Sequence, residues 1–303
     1  MQTLPSGAVL ETSVVRPPCG PEPEPEPELE PTVHGLERQQ QRHAAALALL
    51  PLPPVAQRTQ VVRRRGLFSP KEVDQLLRAA EGLNPMCGHF CGTPCVWSQL
   101  SELETQPQWE TTYLSSGGWC HRHPVLAPAL RLLLSTARKV DAEQGWNLLQ
   151  PRSECGPVSW RNVEYHVVRP GGALADPQHF DGGSLITVDV MLASSSNGDF
   201  EGGEFATPEV GAATAGSAGG DELLVHTFER GDALFFLSHK RHGVRPVRAG
   251  QRRVMIAELW HGPERHCAHR CLERVKKCDF TLGAARREGL RMQQQGSLHI
   301  SRR

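Results

Sequence analysis

The chain has 303 residues, enough for one or two domains, and its 33 basic side chains balance 33 acidic ones, so whole-chain charge gives no argument for nucleic-acid binding. No apolar run is long enough to cross a bilayer, and the first residues lack a basic start followed by an apolar stretch, so neither a membrane span nor a secretory leader is expected. Nine cysteines at irregular spacing favour reduced thiols over a disulfide framework, which suits a cytoplasmic or nuclear protein.

Residues 1–57 read as a disordered tail. PEPEPEPELEP alternates proline with glutamate and cannot build a core. The AAALALL run after His43 reads as a short helix ended by Pro51, Pro53 and Pro54. A folded domain is expected over 58–263. It opens with QVVRRR as a strand and LFSPKEVDQLLRAAE as a helix. Ser69 is the N-cap, Pro70 the first helical residue, and Glu72 completes a capping box; Val73, Leu76, Leu77 and Ala80 form the buried stripe. CGHFCGTPC, Cys87 to Cys95, lacks the paired spacing of common zinc sites and reads as a loop with incidental cysteines, with zinc as the alternative.

WETTYL, ending at Leu114, is a strand. His121 and His123 have no carboxylate at useful spacing and read as surface or loop residues. Leu126, Leu130, Leu133, Leu134 and Ala137 recur at helical spacing between Pro124 and Glu143. VSWRNVEYHVV, SLITVDVML, DALFFL and RRVMIAELW are strands, and NGDFEGGEF is a turn and a strand start. Glycine- and alanine-rich 209–222 is a flexible surface insertion. Residues 264–303 form a basic, partly helical tail, and its His266–Cys278 cluster fits no common zinc spacing. The fold class is α+β and mainly β: a double-stranded β-helix, or jelly roll, with supporting N-terminal helices.

One constellation carries chemistry. On a strand, His179 and Asp181 are two residues apart and share a face, so an imidazole and a carboxylate can meet one metal. The third ligand must come from elsewhere, and His242 is the best candidate. Two imidazoles and a carboxylate with open positions opposite suit non-haem iron(II).

The order and separation of RPGG (169–172), HFD (179–181), FEGGEF (200–205), GDALFF, HGVRPV (242–247) and GxR (250–252) resemble the iron(II)/2-oxoglutarate dioxygenase superfamily, and within it the prolyl 4-hydroxylase-like group. The resemblance spans about the middle two-thirds of the chain. It implies iron(II) on His179, Asp181 and His242, 2-oxoglutarate and dioxygen as co-substrates, and ascorbate as a supporting reductant. It also implies hydroxylation of a protein or small-molecule substrate, first a peptidyl proline, with release of succinate and carbon dioxide.

Family spacing selects His242 over His239, because His242 stands ten residues before Arg252. Only one of Arg252 and Arg253 can face the interior; the G-x-R match selects Arg252 to grip the distal carboxylate of 2-oxoglutarate, with Arg253 as the alternative. Relatives carry a tyrosine where this chain has Val168; Tyr165 has the opposite parity, while His166 shares that of Val168. Two rival classes remain: a non-catalytic jelly-roll binding protein that retains the ligands, and a zinc or manganese hydrolase in a cupin-like barrel. Arg252 argues against the second, since a hydrolase has no need of a distal carboxylate grip.

Overall fold

A computed structural model describes residues 50–91, 108–151, 156–208 and 223–266, without the side chains of 53, 54, 83–91 and 117. The expected helix after His43, the 209–222 insertion, and the later parts of both cysteine clusters lie outside these residues.

The α-helices among the described residues are α1 (Pro53–Ala56), α2 (Pro70–Cys91), α3 (Trp119–Arg122) and α4 (Leu126–Glu143). Helix α2 begins at the expected cap. Ser69 N and Oγ donate to Glu72 Oε2 at 2.8 and 2.6 Å, and Glu72 N donates to Ser69 Oγ at 3.4 Å. The exchange satisfies donors that a helix start leaves orphaned, and it holds the Glu72 carboxyl below its usual range. The helix continues through Cys87–Cys91, so the front of that cluster is helical rather than a loop.

The strands are β1 (Val62–Arg64), β2 (Trp109–Tyr113), β3 (Val158–Val168), β4 (Ile186–Met191), β5 (Phe200–Gly202), β6 (Phe205–Pro208), β7 (Leu223–His226), β8 (Ala233–Leu237), β9 (Gly243–Val244), β10 (Val247–Gly250) and β11 (Arg252–His261). Six form an antiparallel sheet in the order β1-β8-β4-β11-β3-β2. A second layer holds β7-β6-β9 and the pair β10-β5. Phe205 of β6 meets Phe236 of β8 between the layers, ring centroids 5.2 Å apart. This is the expected jelly roll, mostly β with helices against one side.

Side-chain alternation gives the large sheet two unlike faces. Val163, Val188, Val190, Phe235, Met255 and Ala257 pack with Val73, Leu76 and Leu133 of the helices in one apolar core. The alternate residues face the barrel interior. There the register sets Val168 opposite Arg252, Asp189 opposite Ile256, and Thr187 opposite Glu258.

The packed chain also includes Ala56 and Gln57. Gln57 Nε2 donates to Pro208 O, and Gln57 Oε1 accepts from Arg241 N at 2.9 Å. Lys240 is fully buried, and its Nζ donates to the carbonyls of Gln57 and Thr59 at 2.9 and 2.7 Å. A buried ammonium requires such partners. Among the described residues, no helix is long and apolar enough to cross a membrane.

Candidate metal centre

His179 and Asp181 do not lie on a strand. They occupy the loop ahead of β4, so strand parity is not what brings them together. Backbone bonds fix the loop instead. His179 N donates to Asp176 O at 3.2 Å, Asp181 N to Ser238 O at 2.8 Å, and His242 N to His179 O at 3.1 Å. The last two stitch the HxD loop to the turn after β8. A buried pair supports the chain just beyond: Arg161 Nη1 donates to Glu258 Oε2 at 2.8 Å and to Ser184 Oγ at 3.1 Å.

Donor atoms of His179, Asp181 and His242 all lie within 4.8 Å of one another. His179 Nε2 is 3.4 Å from Asp181 Oδ1, and His242 Nε2 is 3.8 Å from Asp181 Oδ2. The two imidazole rings are nearly perpendicular, with centroids 4.9 Å apart. Donors on one face of a first-row metal at about 2.1 Å would stand about 3 Å apart, so small side-chain shifts close the site.

The surroundings prepare each ligand. His242 Nδ1 donates to Lys240 O at 3.0 Å, which leaves Nε2 with its lone pair toward the site. Thr187 Oγ1 donates to Asp181 Oδ2 at 2.7 Å, and Ser238 Oγ lies 2.9 Å from the same hydroxyl. Phe205 stacks on the His242 ring at 5.3 Å, and Phe236 meets it edge-on at 5.0 Å. The donor set and its orientation therefore fit a divalent iron.

Arg252 is among the largest fully buried side chains, and its Nε and Nη2 atoms have no hydrogen-bond partner. Burial lowers its pKa to about 10, against the opposing pull of Asp189. Its guanidinium carbon lies 5.9 Å from the Phe228 ring centroid. Gly203, at φ +65°, makes room: a Cβ there would meet Arg252 Cδ at 2.9 Å. A buried guanidinium with unmet donors is a receptor for an anion. The arrangement fits the distal carboxylate of a dicarboxylic co-substrate.

Asp189 is an acidic neighbour that the sequence reading missed. It is buried, and its Oδ1 has no hydrogen-bond partner. Burial pushes its carboxyl up to about 7; Arg252 opposes that rise, and Asp181 adds to it. Its signal was available, as a lone acid in the middle of an apolar β4.

His239 is half-buried beside Phe180, ring centroids 5.3 Å apart, and is not part of the triad cluster. Arg253 faces the other way, with Nε 3.4 Å from Glu81 Oε1. Tyr165 packs in the helix-facing core and donates to Glu81 Oε1 at 3.2 Å, so it is absent from the barrel interior. His166 is buried there instead, 2.6 Å from Glu164 Oε2 and edge-on to Trp109. His121 is not a loop residue: it lies half-buried on helix α3, and its carboxylate partner comes from far along the chain, with Nδ1 3.5 Å from Glu264 Oε1, 143 positions away.

No family model matches the chain, and no curated protein matches it. Solved structures similar to it include a viral collagen prolyl hydroxylase from Paramecium Bursaria Chlorella virus-1 in complex with 2OG. That one is 16% identical and covers 69% of this chain and 99% of its own, with a TM-score of 0.44. A Pseudomonas putida prolyl-4-hydroxylase is 12% identical, covering 73% of this chain and 100% of its own at a TM-score of 0.45. HygX from Streptomyces hygroscopicus with iron bound is 13% identical, covering 67% and 82% at 0.42.

Proposed function

We propose that the chain is an iron(II)- and 2-oxoglutarate-dependent dioxygenase that hydroxylates an organic substrate, releasing succinate and carbon dioxide. The observation that carries this reading is the combination, in one barrel, of the His179/Asp181/His242 donor cluster with a buried Arg252 whose donors are unmet.

In this reading His179 Nε2, His242 Nε2 and the Asp181 carboxylate hold iron(II). Arg252 takes the distal carboxylate of 2-oxoglutarate. When bound, the iron and the 2-oxo acid supply the activation of dioxygen. The chain's own share is orientation and exclusion of water. The Lys240 carbonyl fixes the tautomer of His242, and the Thr187 hydroxyl aims the Asp181 carboxylate. Phe205 and Phe236 keep water from the His242 side. A peptidyl proline is the first substrate candidate by analogy with the prolyl 4-hydroxylase-like group; a lysyl residue, a nucleic-acid base and a small metabolite are the others. Ascorbate would serve as the reductant that maintains iron(II).

One observation favours a second reading, a non-catalytic binding protein of the same fold. Buried Asp189 faces the same barrel interior as Arg252, on the neighbouring strand, where the co-substrate's carboxylate is expected. Anaerobic titration of the purified chain with iron(II) and 2-oxoglutarate separates the two. The dioxygenase reading expects a weak visible charge-transfer band that saturates with 2-oxoglutarate, then succinate once air and substrate are admitted. Iron binding with no band and no 2-oxoglutarate affinity would leave the binding-protein reading; zinc retained in place of iron would point to a hydrolase.

A further inference from the structure

The end of β11 farthest from Arg252 runs into a second cluster of metal-ligating side chains. After His261 the chain turns back over the sheet. Trp260 Nε1 donates to Pro263 O at 3.1 Å, Arg265 N donates to Trp160 O at 3.1 Å, and the Arg265 guanidinium covers the Trp260 ring at 4.6 Å. These contacts deliver Glu264 and His266 to α3. There His121 Nδ1 lies 3.5 Å from Glu264 Oε1, and the His121 and His266 ring centroids are 5.8 Å apart. One donor atom from each of the three lies within 4.8 Å of the others.

The local backbone is shaped around this cluster. Gly118, with φ +69°, caps α3, and a Cβ there would stand 3.0 Å from the His266 ring. Only glycine combines that conformation with room for the imidazole. His121 Nε2 is buried without a hydrogen-bond partner, so ring burial at this place is not compensated by bonding on that atom.

We infer that His121, Glu264 and His266 form a second metal site, for a borderline divalent ion such as zinc, that clamps the chain leaving β11 onto α3. Two imidazoles and a carboxylate with one position left for water form a familiar zinc donor set. Tetrahedral zinc with bonds of about 2.1 Å places its donors about 3.4 Å apart, close to the His121–Glu264 separation already present. The site is separate from the iron ligands, and it does not depend on the dioxygenase reading.

The test is zinc stoichiometry on the full chain under reducing conditions. Metal is stripped, excess zinc is added and removed by desalting, and bound zinc is measured by elemental analysis. The parent carries both iron ligands and cysteines, so every comparison is made in a His179→Ala/His242→Ala background. Glu264→Gln, His121→Ala and His266→Ala should each lose one molar equivalent relative to that background. Zinc should also raise the melting temperature of the background protein more than that of the three variants. Glu264→Gln decides the matter if an alanine variant fails to fold, because Glu264 is exposed and the change conserves its shape. Unchanged zinc content in Glu264→Gln, together with an unchanged melting response, would overturn the inference.

Discussion

The two faces of the large sheet are built on opposite principles. The face against the helices is mostly apolar, with Val188, Val190, Phe235, Met255 and Ala257 packed on Leu76 and Leu133, and its polar groups, Arg253 and the Tyr165 hydroxyl, meet Glu81. The face inside the barrel buries Asn162, Glu164, His166, Thr187, Asp189, Arg252 and Glu258. Burial stabilises the first face by about 25 cal/mol per Å² of apolar surface. On the second face burial is a cost unless every polar atom finds a hydrogen-bond partner, and here Arg252 Nε and Nη2 and Asp189 Oδ1 do not. The helix side holds the fold; the barrel side keeps unmet valence for a ligand.

Substitutions can break this division. The largest effect is expected at the centre itself. His179→Ala, Asp181→Ala and His242→Ala should each abolish iron binding or turnover while circular dichroism and cooperative melting keep their native form. Full turnover in His242→Ala with loss in His239→Ala would show that the wrong imidazole had been chosen.

Leu133→Ala, on the helix side, should do the reverse. It should lower unfolding free energy by about 2–5 kcal/mol, read by denaturant titration. Affinity for iron(II) and 2-oxoglutarate should hold in the fraction that stays folded. A large loss of affinity without loss of stability would show that the two faces are not separate in function.

Arg252→Ala should weaken 2-oxoglutarate binding by about two orders of magnitude or more, on the order of 3 kcal/mol for a buried ion robbed of its partner. Iron binding should barely move. Arg252→Lys should be milder, because only the fork is lost. Arg253→Ala, on the opposite face, should leave 2-oxoglutarate affinity nearly unchanged at saturating iron, and damage there would put the working register off by one residue.

Asp189→Asn sharpens the comparison most finely. With its carboxyl raised to about 7, Asp189 holds its proton in the folded state where the unfolded chain has released it. Stability is therefore lost as pH rises from about 4 to 7, and the loss then levels off. The asparagine variant should lack that decline when unfolding is followed at pH 5 and pH 8. A bound distal carboxylate also disfavours ionised Asp189. So 2-oxoglutarate affinity should fall above pH 7, by at most about tenfold per unit, and the variant should flatten the fall. Parallel pH profiles in parent and variant would remove Asp189 from the co-substrate pocket.

Much of the fold could be read from the chain because its signals are local. The cap at Ser69, the stripe from Leu126 to Ala137 and the β-branched runs at Ile186 and Val254 each act through neighbours in sequence. The inward direction of Arg252 and the outward direction of Arg253 follow from period two. The HxD loop is different. Parity assumed a strand, whereas the geometry comes from bonds to Ser238 and His242, more than fifty residues away. Asp189 was overlooked because a strand rich in valine reads as core on both faces, and only the second layer of strands over the large sheet turns one face into an interior. The His121 cluster was illegible for a plainer reason: its carboxylate arrives from the far end of the domain, and no spacing rule spans that distance.

The clasp at Gln57 and Lys240 has a mechanical meaning. The carbonyls of Gln57 and Thr59 hold the Lys240 ammonium, and the carbonyl of Lys240 holds the His242 imidazole. Gln57 also grips Pro208, the last residue of β6 before the 209–222 stretch. A pull on either neighbouring stretch would thus travel through a few hydrogen bonds to His242, the proposed metal ligand, as a tug on a bell rope reaches the clapper. A chain trimmed to begin at Arg58 would lose the Gln57 anchor and slacken that line while every ligand stayed in the sequence.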